Sequence, residues 1–290
     1  MPDRLHADDA ARAAAPAPEL TASLGLARLD YHVRVTSTMD VAHAIAADGA
    51  PAGTLVLASS QEQGRGRSGK HWLSAPDAGL WCTLIERPRD ARALDVLALR
   101  VGLHLAEALD ALVDSAREGP VQLKWPNDLW LASGKLGGIL IEARWRDGVP
   151  EWVAIGVGIN RRQVENGQGT AGAQGAPPQG APPAGTSLQG APPLRTATVR
   201  ADVSRDALLQ AVVPALRRAA AMTGPLGEAE CAAWARRDRM VGRVVRSPSP
   251  GVVEGITADG AVVIRGPDGV ARSLQSGSLE EANVSETLPG

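Results

Sequence analysis

The chain has 290 residues, 44% hydrophobic and 21% charged, with a formal net charge of −2 at pH 7. That is enough apolar material for one large core and a small second one, and the near-neutral balance argues against nucleic-acid binding through the bulk surface, so any anion site must be local. Cys82 and Cys231 are too few for a disulfide framework or a four-thiolate metal site, no stretch is long and apolar enough to span a membrane, and the N-terminus lacks the apolar run of a secretory signal; a cytoplasmic protein is expected.

Residues 1–18 hold seven alanines and three prolines and read as a tail that buries too little to order itself, with the first 28 residues assigned to it. Val33 and Val35 mark a short strand. Ser37 or Thr38 caps a helix that runs through Ala47 to the stop at Gly49-Ala50-Pro51. Thr54 to Ala58 reads as a buried strand, Leu80 to Ile85 as the next, and the segment between them carries Gly64-Arg65-Gly66-Arg67-Ser68-Gly69-Lys70-His71-Trp72. Leu94, Leu97, Val101, Leu105, Ala108 and Leu112 recur at steps of three and four and predict an amphipathic helix ending by Gly119-Pro120.

Three further strands are predicted at Val121 to Trp125, Gly138 to Ala143 and Trp152 to Ile159, completing a mixed α/β sheet. Residues 163–197 contain Gln-Gly-Ala-Pro-Pro three times, almost no large apolar side chains and no periodicity, the composition of a disordered insertion. Ser204 caps a helix through Met222 that Pro214 should kink or split in two. From Val241 to about Leu279, short β-branched runs alternate with Asp259-Gly260 and Asp268-Gly269 turns, predicting a small antiparallel barrel or sheet. With no phenylalanine and only Tyr31 as tyrosine, seven tryptophans carry the aromatic packing.

Three clusters carry chemistry. The glycine/arginine segment joins a backbone able to approach a ligand closely with cations that favour an anion. Lys124-Trp125-Pro126-Asn127-Asp128 and Gly134-Lys135-Leu136-Gly137-Gly138 follow in close succession, and a lysine beside paired glycines presents a point charge to phosphate while the backbone packs on the ligand; each half alone also fits a hairpin with surface lysines. Gly156-Val157-Gly158-Ile159-Asn160 removes side chains from a central strand, which implies close approach by a ligand or neighbouring backbone, or a plain bulge.

With Ser37-Thr38, Gln61, Trp72 and the run Lys135 to Glu142, these motifs occur in an order that resembles the biotin protein ligases, over roughly residues 30–162. The resemblance implies a class II aminoacyl-tRNA-synthetase-like catalytic domain over 29–235, interrupted by the 163–197 insertion, and an SH3-like β-barrel over 236–285. It implies adenylation of biotin by ATP, with magnesium, then transfer to a lysine of a biotin carboxyl carrier protein of acetyl-CoA carboxylase. It assigns Lys135, Arg67 and Arg65 to catalysis. Biotin falls to Ser37, Thr38, Gln61, Arg65, Gly66, Arg67, Lys135, Gly138, Gly156 and Gly158, with the glycines flanking its apolar part. The nucleotide falls to Arg67, Lys70, Trp72, Asn127, Lys135 and Asn160; magnesium rides mainly on the phosphates, with Asp128 the candidate protein ligand.

Two departures from the family pattern stand out. Met39 replaces the asparagine usual after Ser-Thr, removing an amide hydrogen bond, and only about 30 low-complexity residues precede Tyr31, too few for the winged-helix DNA-binding domain of repressor members. A monomer or homodimer without membrane contact is expected. The rivals are a lipoate or octanoyl-protein ligase or transferase of the same fold, although Cys82 lacks the Cys-x-Lys setting, and an RNA-binding module built on the Gly/Arg segment, which the net charge disfavours.

Overall fold

The computed structural model describes residues 18–88, 90–163 and 195–282. Most of the low-complexity insertion and the first 17 residues lie outside these. Pro18–Ser23, inside the stretch expected to be an unordered tail, forms a short helix (α1) that seats Leu20, Leu24 and Leu26 in the core.

The main sheet takes strands β1 (Arg28–Val35), β2 (Thr54–Gln61), β3 (Gly79–Glu86), β4 (Gln122–Lys124), β5 (Asp128–Leu131), β6 (Gly134–Arg146) and β7 (Val149–Asn160) in the order β1-β2-β3-β7-β6-β5-β4. Only β1 and β2 run parallel; every other neighbouring pair is antiparallel. Between β1 and β2 lies α2 (Thr38–Ala47), where Ser37 Oγ accepts the Met39 N–H as an N-cap. α3 (Arg92–Leu109) carries the predicted stripe, and a short α4 (Ser115–Glu118) leads to β4.

The period-two alternation of β2 sorts its side chains between two layers. Leu55 and Leu57 enter the main core with the buried faces of α3 and α5 (Arg205–Ala221), while Val56 turns to the other side with Ala42, Ala46, Ile85 and Trp152. The sheet is therefore mixed and flanked by helices on both faces, as its sequence predicts.

Three differences have local causes. Pro214 does not split α5: the helix runs through it because Val212, Val213, Ala215 and Leu216 bury on either side, and that burial outweighs one missing backbone bond. Asp128, the last residue of its motif, opens a strand that the sequence does not predict, Asp128–Leu131, paired with β4 and β6. α6 (Glu228–Arg237) was not predicted; its apolar content is mostly alanine, and Trp234 is its buried anchor.

The C-terminal segment forms β8 (Val244–Ser247), β9 (Gly251–Ile256), β10 (Val262–Arg265), β11 (Ala271–Leu274) and β12 (Glu280–Glu281), an antiparallel sheet ordered β11-β10-β9-β8-β12 around Val245, Val253, Val262, Ile264 and Leu279. It docks on the first unit through Trp125, whose indole N–H donates to the Gly260 carbonyl at 3.0 Å, and through Leu226 N–H to the Ala258 carbonyl at 2.9 Å.

Candidate functional site

The register of the main sheet lines up one row of directly paired residues across six strands: Ala58, Trp81, Gly158, Gly138, Asp128 and Lys124. Paired residues share a face, so this row passes from apolar through glycine to charge. A second row, Val56, Thr83, Gly156 and Leu140, lies two residues away. Above the two rows, beyond the N-terminus of α2, opens a cavity of about 500 Å³, within the usual range for a small-molecule site.

The residues that the resemblance assigns to biotin, nucleotide or metal line this cavity: Ser37, Thr38, Gln61, Arg65, Gly66, Arg67, Lys70, Trp72, Asn127, Asp128, Lys135, Gly138, Gly156, Gly158 and Asn160. One end is a neutral hydrogen-bonding network. The Thr38 N–H and hydroxyl both donate to Gln61 Oε1 (2.8 and 3.1 Å), Gln61 Nε2 donates to Ser74 Oγ (2.6 Å), and the Thr83 hydroxyl donates to Thr38 Oγ1 (2.9 Å). Thr83 has no place in the sequence motifs; its signal was a lone polar residue in the apolar run of β3, opposite Gly156.

The other end is cationic. Lys135 Nζ lies 2.7 Å from Asp128 Oδ1 and 5.1 Å from the centre of the Trp72 ring. Arg67 reaches over to the Gly277 carbonyl at 3.4 Å. Burial pushes the Arg67 guanidinium below its ordinary pKa while Asp128 opposes the shift. The Lys124 ammonium lies over the Trp130 ring at 5.6 Å, and burial lowers its pKa against the pull of Asp128, whose carboxylate is engaged by Lys135. Ser278, Leu279 and Glu280 close this end from the C-terminal sheet, a contribution that no motif announced.

The asparagines act on backbone. Asn127 Nδ2 donates to the Ile139 carbonyl (2.6 Å) and Asn160 Nδ2 to the Lys135 carbonyl (3.0 Å), so both amides fix the stretch of β6 that presents Lys135. Their expected contact with nucleotide is left to the carbonyl oxygen and the second N–H of each amide.

The glycines differ more from expectation. A Cβ on Gly158 would lie 2.6 Å from Trp72 Nε1, one on Gly138 would lie 3.0 Å from the same indole, and one on Gly156 would lie 2.7 Å from the Met39 methyl. The room they leave is filled by this chain's own side chains, so they reach a ligand only beside Trp72 and Met39. Trp72 packs edge-on against Trp81 with ring centres 6.3 Å apart, and its buried Nε1 has no protein acceptor. A buried donor without a partner is costly, and an acceptor on a ligand would satisfy it.

Arg65 also departs from the anion-binding role expected of it. It lines the cavity rim, yet Nη1 is bonded to Asp40 Oδ1 (2.7 Å) and Nη2 to Glu142 Oε1 (2.6 Å). Two carboxylates offset its charge and occupy both terminal nitrogens. Lys70 stands exposed at the rim, and its carbonyl accepts the Gly66 N–H at 2.7 Å.

Among the described residues no group of three His, Cys, Asp or Glu side chains could hold a metal, and no helix is long and apolar enough to cross a membrane. Cys82 lines the cavity wall, but burial holds its thiol at a pKa of about 12, so it stays protonated and is a poor nucleophile.

The family model for the biotin/lipoate A/B protein ligases matches residues 31–160. The biotin–[acetyl-CoA-carboxylase] ligase of Paracoccus denitrificans is 32% identical over 221 residues, covering 74% of this chain and 85% of that protein. The bifunctional ligase/repressor BirA of Bacillus subtilis is 37% identical over 142 residues, 48% of this chain; the match spans only 42% of the length of that relative. Among solved structures, the biotin protein ligase from Aquifex aeolicus in complex with biotin and ATP shares the fold with a TM-score of 0.62 at 21% identity, over 89% of this chain and 100% of that one.

Proposed function

The chain belongs to the biotin/lipoate A/B protein ligase family, and on that premise we propose that it is an ATP-dependent biotin protein ligase. The observation that carries this reading is the polarity of this cavity. A neutral network around Thr38, Gln61 and Thr83 suits an uncharged ureido ring, and the cations Arg67, Lys124 and Lys135 at the far end suit a carboxylate meeting a triphosphate.

In the first step a biotin carboxylate oxygen bonds to the α-phosphorus of ATP as the bond to the β-phosphate oxygen breaks, giving biotinyl-5′-AMP and pyrophosphate. Two anions must be held together, and Arg67 and Lys135 supply fixed charge where negative charge accumulates. Asp128 and the backbone bonds from Asn127 and Asn160 keep Lys135 in place. Trp72, lying between the two ends, covers the anhydride and excludes water. In the second step an acceptor-lysine amine on a carrier protein attacks the anhydride carbonyl carbon, expels AMP and loses a proton.

The donor set fits magnesium carried on the nucleotide: two cavity carboxylates, Asp128 and Glu280, are enough for an ion that keeps its waters and binds chiefly through phosphates. Bound there, magnesium would neutralise phosphate charge. A cytoplasmic site of action, where ATP and carrier are available, completes the proposal.

The test mixes the purified protein with ATP, magnesium, biotin and a biotin carboxyl carrier domain. Biotin-dependent pyrophosphate release and label on one carrier lysine are expected; release with lipoate or octanoate but not with biotin would move the assignment to the other branch of the family. An RNA-binding role finds little support, because Arg65 is ion-paired and Arg67 turns to the cavity.

A further inference from the structure

Outside the cavity, a chain of polar contacts links the glycine/arginine segment to the helix and sheet behind it. The Trp152 indole N–H donates to His43 Nδ1 at 3.0 Å, which leaves the proton of a neutral imidazole on Nε2, and Nε2 lies 3.0 Å from Glu142 Oε2. The other oxygen of Glu142 takes Arg65 Nη2, and Asp40, one helical turn before His43 on α2, takes Nη1. The guanidinium fork is thus bound to one carboxylate on α2 and one on β6.

We propose that Asp40 and Glu142, with His43 orienting the latter, form a latch whose bolt is Arg65. It fastens the Gly64–Lys70 segment over the cavity and so positions Arg67 and Trp72. Arg65 is then a positioning residue. A substrate ligand would present free donors to the cavity, whereas both terminal nitrogens here are bonded to carboxylates on two separate elements. The segment's other bonds leave α2 and β6 untouched: Gly66 N–H to the Lys70 carbonyl and Lys70 N–H to the Arg67 carbonyl close it on itself, Trp72 N–H to the Gly64 carbonyl links its two limbs, and Arg67 reaches the Gly277 carbonyl of the C-terminal unit at 3.4 Å. Arginine suits the task because its planar fork spans two acceptors at once, which an ammonium does not.

The two readings of Arg65 predict opposite effects when the carboxylates are neutralised. If Arg65 binds substrate, Asp40→Asn with Glu142→Gln frees it and leaves the KM for biotin unchanged or lower. If Arg65 is the bolt, the same change releases the segment.

Limited trypsin digestion of the unliganded full chain reads this without any reaction, since Arg65, Arg67 and Lys70 all remain as cleavage sites. Cleavage in the segment is expected to quicken roughly tenfold in the double variant, the scale of losing charge-assisted bonds at a partly exposed site. Glu142→Asp, too short to reach Arg65 and His43 together, should give a smaller increase. The catalytic arm rests on the ligase reading: KM for biotin and ATP should rise more than kcat falls, and pyrophosphate released per biotin transferred should climb above one as the anhydride escapes to water. Unchanged cleavage in a double variant that melts like the parent, or a KM for biotin that stays level or drops, overturns the latch. A parent protein that releases no pyrophosphate with biotin overturns the ligase reading alone, because the cleavage comparison stands without it.

Discussion

Gly158→Ala tests whether the strand glycines exist to admit Trp72. The added methyl carbon would sit 2.6 Å from Trp72 Nε1 and 2.7 Å from Cε2, against about 3.4 Å for ordinary contact, so the indole must retreat by roughly 0.8 Å. Trp81 stands edge-on to the indole on one side and the Lys135 ammonium lies over it, which leaves little freedom to move. Overpacking of this kind costs about 1–3 kcal/mol, while relieving a strand of a glycine returns roughly 0.5–1 kcal/mol. Gly158 has no positive φ, so the backbone itself accepts alanine. The net expectation is a loss of about 1–2 kcal/mol by urea denaturation followed by circular dichroism. In a Trp72→Ala background the same substitution should be neutral or stabilising, giving a coupling energy of about 1–3 kcal/mol. An equal loss in both backgrounds would refute the reasoning.

Two other substitutions separate charge from packing. Lys135→Ala should lower biotin-dependent pyrophosphate release by about 10²–10³-fold yet shift stability by about 1 kcal/mol or less, since Arg67 and Lys124 remain near Asp128; equal proportional losses in activity and stability would contradict it. Lys124→Met should raise thermal stability, because burial depresses the folded-state pKa and makes the ammonium unfavourable in the fold. The difference from the parent is full below the depressed folded-state pKa and shrinks as pH rises from there toward the ordinary lysine value of about 10.4, where the unfolded chain also loses the proton. The same variant should raise KM for ATP, and a stabilised protein with an unchanged KM would remove Lys124 from the nucleotide end.

Much of the fold is legible in the sequence because its signals are local. The stripe of α3 and the apolar runs of β2 and β3 each report their own environment, and Ser37 announces the start of α2. The C-terminal turns likewise fall where Asp-Gly pairs stand. α6 was hidden because alanine signals helix without a strong stripe, and β5 because its four residues follow a motif that already had a meaning.

The residues assigned to the site fall around one cavity, since strand ends and glycines are conspicuous in the sequence, but which side chain faces which partner is not legible there. That Arg65 faces Asp40 and Glu142 while Arg67 faces Gly277 depends on partners 25, 77 and 210 residues distant. No local pattern encodes which arginine turns inward. Gly138 and Gly158 likewise look like ligand-facing positions until the indole that fills them is located.

Three hydrogen bonds from the rest of the chain to the C-terminal sheet end on its main chain, beside the apolar contact of Val245, Val253, Val262, Ile264 and Leu279 with the main core. Trp125 reads the Gly260 carbonyl, Leu226 that of Ala258 and Arg67 that of Gly277. A carbonyl is offered by every residue type, so these contacts ask for turns in the right places and leave most side chains free to drift. Gly277, at φ +135° with the Pro248 ring 2.8 Å from where a Cβ would stand, is one point that cannot drift. A module recognised in this way is exchangeable within limits: a foreign sheet presenting the same three carbonyls, the apolar side chains that join the common core, and Ser278, Leu279 and Glu280 at the cavity should complete it as well as the native one.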